Sequence, residues 1–270
     1  LISAVEKRVD NTDREIACLL SGGLDSSLIT AIVASLLPDS SKLNTWSIGM
    51  EGSEDLAFAR QVADHIGTTH HEILLTEQEF LNAVPDVIKA IESYDTTTVR
   101  ASVGNWLISK FIKEKSNAKV VFNGDGSDEL TGGYMYFHLA PNELEFDKEC
   151  RRLLNDIHYF DVLRSDRSIS NHGLEARTPF LDRSFVSSYL SIPPELRFHP
   201  KHQQPEKYLL RKAFDDTDLL PKCVLWRTKE AFSDGVSKQT RSWFEIIQDY
   251  AKQQVNEQDP KLAEKKCIPC

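Results

Sequence analysis

Four short apolar runs, Glu15 to Leu20, Leu43 to Ile48, His70 to Leu75 and Ala118 to Phe122, alternate with longer stretches whose apolar residues return every third or fourth position. The runs have the length of strands. Leu28, Ile29, Ile32, Val33, Leu36 and Leu37, followed later by Leu56, Ala59, Val62, Ala63 and Ile66, repeat at the period of a helix. Pro38 breaks the first helical pattern and Gly67 closes the second. Val84, Val87, Ile88 and Ile91, then Val99, Val103, Trp106 and Leu107, give two more helical faces before the last run. Strands separated by helices of this length imply right-handed crossovers and a sheet covered on both faces. The expected fold is therefore α/β, a doubly wound parallel sheet.

After Tyr134 the strand signals fade. Glu143 to Leu163 is long, charged and helix-forming, and Arg183 to Leu190 and Pro205 to Phe214 continue in that style. At about 150 residues per domain, a chain of 270 residues makes one large domain or two small ones. We read a single domain over 1–270, with a parallel-sheet core over about 15–135 and a helical extension over about 136–270 packed on one edge of the sheet.

Charge narrows the partners. Lys and Arg total 32 against 41 Asp and Glu, a net charge of −9, which suits neither a polyanionic nucleic acid nor an anionic membrane surface. No apolar stretch approaches the ~20 residues of a membrane span. The five cysteines are odd in number and widely spaced, and no secretory signal precedes them, so a cytoplasmic protein is expected. Cys267 and Cys270 form a lone Cys-x-x-Cys, and His65, His70 and His71 have no carboxylate partner in register; neither group is read as a site.

The strongest chemistry lies in Ser21-Gly22-Gly23-Leu24-Asp25-Ser26-Ser27, between the first strand and the first helix of the alternation. Backbone N–H groups at a helix start, with the positive end of its dipole, favour an oxyanion. Gly22 and Gly23 let the backbone come close, and Ser21, Ser26 and Ser27 add hydroxyl donors for phosphate oxygens. It is not a Walker loop, because no Gly-Lys pair occurs anywhere. The dinucleotide fingerprint also fails, since Glu129 stands where a third glycine would follow Gly124 and Gly126. Taken locally, the loop also reads as a Ser/Gly-rich helix cap without a ligand.

Residues 21–27 resemble the pyrophosphate-binding loop of enzymes that cleave ATP between its α and β phosphates. Asn123-Gly124-Asp125-Gly126-Ser127-Asp128-Glu129-Leu130, followed by Gly132-Gly133-Tyr134, resembles a second signature, that of asparagine synthetases. Residues 94–102, 173–182 and 226–235 resemble three more segments of that family, in the same order. The resemblance covers roughly residues 15 to 255 and points to the synthetase domain of the glutamine-hydrolysing type. It implies an adenine nucleotide alpha hydrolase-like sheet and an ATP-dependent ligase that converts aspartate to asparagine. In that chemistry the β-carboxylate attacks the α-phosphorus of ATP, pyrophosphate leaves, and ammonia displaces AMP from β-aspartyl-AMP.

Residue by residue, the resemblance gives Leu19, Ser21, Gly22, Gly23, Asp25, Ser26, Ser27, Ile48, Asn123 and Gly124 to ATP, with Leu19 and Ile48 lining the adenine pocket. Asp25 and Asp128 fall where magnesium is held, a fitting role for hard carboxylates beside phosphates. Thr97, Arg100, Asp125 and Lys229 fall on catalytic and substrate positions, Lys229 opposite the departing pyrophosphate. Two residues depart from the family pattern: Asp125 replaces a frequent glutamate and Asn123 a usual serine. The implied partners are aspartate, ammonia, a glutaminase domain or subunit, and a second copy of the chain in a homodimer.

Two other functions stay open at this point. One is a related adenylating amide or β-lactam-type synthetase acting on another carboxylate; the other is a non-catalytic remnant used as an interaction module. The chain starts at Leu1, and its earliest cysteine, Cys18, lies inside a strand. The polypeptide as given is therefore expected to use free ammonia, with glutamine use belonging to a longer parent chain or a partner.

Overall fold

The computed structural model describes residues 1–202, 204–227, 236–237 and 241–258. Its centre is a five-stranded sheet built from β1 (Ile16–Leu19), β2 (Asn44–Gly49), β3 (Thr69–Leu74), β4 (Val120–Phe122) and β5 (Glu175–Arg177), ordered β3-β2-β1-β4-β5. Every pairing is parallel, with Ala17 opposite Asn44 on one side and opposite Val121 on the other. The chain first moves outward from β1 to β2 and β3, then returns to the far side of β1 for β4 and β5. That reversal opens a crevice at the carboxyl ends of β1 and β4, where ligands bind in open sheets of this kind.

Alternation along the strands splits the core into two layers. Cys18, Leu20, Val120 and Phe122 pack with Leu28, Ile29, Ile32 and Val33 of α2 (Leu24–Leu36) and with Ala59, Val62 and Ala63 of α3 (Glu54–Ile66). Ala17, Trp46, Ile48 and Val121 face the other way, onto Phe80 and Val87 of α4 (Glu77–Ile91) and Val103 and Leu107 of α5 (Thr96–Lys115). The amino-terminal helix α1 (Ile2–Val9) joins the first layer through Val5. Local signals set the helix starts. Thr76 and Glu79 form a reciprocal capping box on α4, and the Asp95 carboxylate accepts the Thr98 N–H at 2.7 Å at the head of α5.

The four strands read from the sequence lie within a residue or two of their expected places. The fifth, Glu175–Arg177, is carried by the second half and went unread because three residues, two of them charged, leave no apolar alternation to detect. Glu143 to Leu163 is not one helix either. It forms α7 (Glu143–Asp156) and the start of α8 (Asp161–Ser170), separated by a turn in which Phe160 has φ −134° and ψ −84°, outside helical geometry. Between β4 and α7 lies the short α6 (Ser127–Thr131), and beyond β5 come α9 (Arg183–Leu190), α10 (Pro194–Arg197), α11 (Tyr208–Phe214), α12 (Lys222–Leu225) and the helix Trp243–Gln258. Among the described residues no helix is long and apolar enough to cross a membrane.

Candidate active site

The β1–α2 loop and the β4–α6 loop meet at the switch point of the sheet. Gly22 turns with φ +75°, and a Cβ there would lie 2.6 Å from the Ala59 backbone nitrogen, so only glycine fits. A Cβ on Gly124 would lie 2.8 Å from Asp25 Cβ and from the Ser26 nitrogen, which shows how closely the two loops pack. Ser26 Oγ stands 3.0 Å from Ser21 Oγ and accepts the Ser21 N–H at 3.2 Å, folding the first loop on itself.

Together the loops wall a cleft of about 540 Å³. Of the residues singled out in the sequence, Leu19, Ser21, Gly23, Asp25, Ser26, Ile48, Thr97, Arg100, Asn123, Gly124, Asp125 and Asp128 line it. Gly22 and Ser27 do not; Ser27 is buried, and its hydroxyl has no hydrogen-bond partner among the described residues. Lys229, Cys267 and Cys270 lie outside the described residues.

Asp25 and Asp128 point at one place, and the Lys207 ammonium stands there. It contacts Asp25 Oδ2 and lies 2.6 Å from Asp128 Oδ1. Burial alone would lower the Lys207 pKa, but Asp128 and Asp25 outweigh it and hold the group charged. Lys207 also has φ 60°, rare for a residue with a side chain, and it sits at the head of α11. Ser127 Oγ donates to the other Asp25 oxygen at 2.7 Å.

Two converging carboxylates fit a magnesium site of the kind that borrows its remaining ligands from phosphate and water. No group of three or more His, Cys, Asp or Glu side chains that could hold a metal ion is present among the described residues, so these two carboxylates are all that this point of the cleft offers. The space where the two carboxylates meet carries one cation in this structure, the Lys207 ammonium, which a magnesium ion bound at that point would displace.

A second acidic group lies deeper. Tyr134 Oη is 2.5 Å from Glu129 Oε1 and 3.0 Å from Asp161 Oδ2, and Arg164 pairs with Asp161. Burial, then the neighbouring Asp161, push Glu129 well above the usual carboxylate range, so it stays protonated where exposed glutamates ionise. Asp125 is also raised, to about 6, chiefly by burial and against the hydrogen bond from Ser165. On the opposite wall Arg227 pairs with Asp55 at 2.9 Å and lies over the Phe58 ring. Arg100 Nε is buried without a hydrogen-bond partner among the described residues, and the Arg100 guanidinium lies 5.1 Å from the centre of the Phe244 ring.

Comparison with known proteins decides the family. The asparagine synthase family model matches residues 1–147 and 139–266. The chain belongs to the asparagine synthase family. It is 54% identical over 258 residues to the asparagine synthetase (glutamine-hydrolyzing) of Gallus gallus, a match covering 94% of this chain and 46% of that protein. The Homo sapiens asparagine synthetase (glutamine-hydrolyzing) is 53% identical over 258 residues, covering 94% and 46%. The chain thus spans about half the length of the curated relatives it matches. Among solved structures, an NMN synthetase from Francisella tularensis aligns at 15% identity with a TM-score of 0.39, covering 99% of this chain and 96% of that one.

In this member of the asparagine synthase family the site holds residues that inspection of the sequence passed over: Lys207, Asp161, Arg164, Ser165, Glu129 and Tyr134. Glu129 and Tyr134 lay inside a signature already singled out but were given no role there. The other four come from helices of the second half, where periodicity marks only the face toward the core.

Proposed function

We propose that this domain joins ammonia to aspartate at the expense of ATP, through β-aspartyl-AMP. In the first step an oxygen of the aspartate β-carboxylate forms a bond to the α-phosphorus, and the bond to pyrophosphate breaks. In the second, the ammonia nitrogen attacks the acyl carbon, AMP leaves with the bridging oxygen, and a proton passes to a base.

The observation that carries this reading is the meeting of the two loops in one cleft, each bringing a carboxylate to the same cation position. The backbone N–H groups and hydroxyls of residues 21–26 suit the departing pyrophosphate, since donors fixed in advance stabilise charge that develops during the reaction. Asp25 and Asp128 would hold a magnesium ion, which when bound neutralises phosphate charge. Leu19 and Ile48 offer apolar walls for the base, and Arg100 and Thr97, which line the same cleft, are assigned to the amino acid. Asp125, with its proton affinity raised toward neutrality, suits the proton transfer of the second step. Lys229 is assigned to the pyrophosphate. The reading places the enzyme in the cytoplasm and draws its ammonia from a glutaminase domain or subunit.

The test is product analysis by mass spectrometry with ATP, aspartate, ammonium and magnesium. Equal amounts of AMP, pyrophosphate and asparagine are expected, each dependent on aspartate. ADP as the nucleotide product, or AMP release indifferent to aspartate, would reject the reading.

A further inference from the structure

Asn123 directly follows β4 and is only 3% exposed. Its carboxamide grips Asp125 at two points. Oδ1 accepts the Asp125 backbone N–H at 3.2 Å, and Nδ2 donates to Asp125 Oδ2 at 2.7 Å. The same Nδ2 donates to Ser165 Oγ on α8 at 2.9 Å. An amide nitrogen carries two hydrogens, so both donors of Asn123 are used within the protein and none remains for a nucleotide.

An aspartate in a loop turns freely about two side-chain torsions unless something holds its end. Here the backbone and the carboxylate are tied to one rigid amide, which is tied in turn to a helix. The pair also balances in length. Relative to a serine followed by a glutamate, asparagine is one atom longer and aspartate one carbon shorter, so the carboxylate gives up reach and gains a brace.

We propose that Asn123 is a positioning residue for Asp125, fixing the shortened carboxylate toward the cleft through the Asn123–Asp125–Ser165 network instead of touching ATP with its side chain. The inference deepens the adenylation and amidation reading and rests on it. A carboxylate displaced by about 1 Å loses on the order of 100-fold in rate.

The experiment compares wild type, Asn123→Ser, Asp125→Glu and the double variant for kcat and for the KM of ATP. Asparagine and AMP production by the wild type tests the underlying reading separately, before any variant is considered. Asn123→Ser is expected to lower kcat about 10- to 100-fold while the KM for ATP stays within about twofold. The double variant is expected to lose far less than the product of the two single losses, because each change restores what the other lacks. A raised KM for ATP at unchanged kcat would show the Asn123 side chain on the nucleotide and overturn the proposal, as would losses that simply multiply. Should Asn123→Ser fail to fold in a thermal melt, Ser165→Ala removes only the anchor; it should lower kcat at constant KM for ATP, and an unchanged kcat there rejects the proposal equally.

Discussion

The sheet half and the helical half furnish the cleft by different means. Loops after β1 and β4 bring backbone donors, hydroxyls and three carboxylates, Asp25, Asp125 and Asp128, crowded by glycines that allow close approach. The helical half brings the cations and a hydroxyl: Lys207 between Asp25 and Asp128, Arg164, which pairs with Asp161 of its own helix and is also attracted by Asp125, and Ser165 beneath Asn123. Neither half is chemically complete. A cluster of carboxylates without a cation would be desolvated like charge, and a buried lysine without carboxylates would lose its proton.

The sharpest way to break this complementarity is to remove the shared cation. Lys207→Met should cost about 3 to 5 kcal/mol in urea unfolding with EDTA present, the scale for leaving a buried charge unpaired. AMP formation should fall at least about 100-fold in the same variant. Wild-type stability would mean that Asp25 and Asp128 do not depend on the helical half.

Asp125→Asn tests the sheet half's own cost. The folded protein holds the Asp125 proton up to a pH of about 6, whereas the ordinary value is 3.8, because burial disfavours the anion. Ionisation above pH 6 therefore opposes folding, and below pH 4 both states are protonated and the effect is gone. The variant should be more stable than wild type by up to about 3 kcal/mol at pH 8, equal to it near pH 4, and much slower in asparagine formation. Urea midpoints across pH 4 to 8 measure this; a constant difference would reject the assignment.

Gly124→Ala probes the seam between the two loops. Its new methyl would meet Asp25 Cβ and the Ser26 backbone at 2.8 Å, so a loss of about 1 to 3 kcal/mol is expected, together with weaker ATP binding by calorimetry. Unchanged ATP affinity would show that the loops can separate without harm.

The smallest effect lies away from the cleft. Asp182 accepts from Arg8 at 2.8 Å and caps α9 through Ser184 and Phe185, and its pKa is held at about 2, chiefly by Arg8. Asp182→Asn should lose about 1 to 2 kcal/mol at pH 7. Because the folded pKa is depressed, that stability is complete above pH 4 and disappears as pH falls through 2, so the variant and wild type should converge in acid. A gap persisting at pH 2 would assign it to packing.

Four strands, their helices and both loops were legible in the sequence because each depends on residues close along the chain: a strand on a short apolar run, a helix on spacing, a glycine- and serine-rich loop on Ser21 to Ser27 between the two. Asp25, Asp125 and Asp128 were singled out through the resemblance of their two loops to family signatures, and the structure brings all three to the cleft. The partner of Asp25 was not. Lys207 lies 182 residues away, at the start of a seven-residue helix, and nothing near it distinguishes it from any surface lysine. Ser165 lies 42 residues from Asn123 on a helix whose spacing records only its core face. Local sequence thus determined the sheet, its order of elements and the carboxylates; tertiary structure alone decided which cation and which hydroxyl meet them, because charge pairing is a matter of distance in space and leaves no period along the chain.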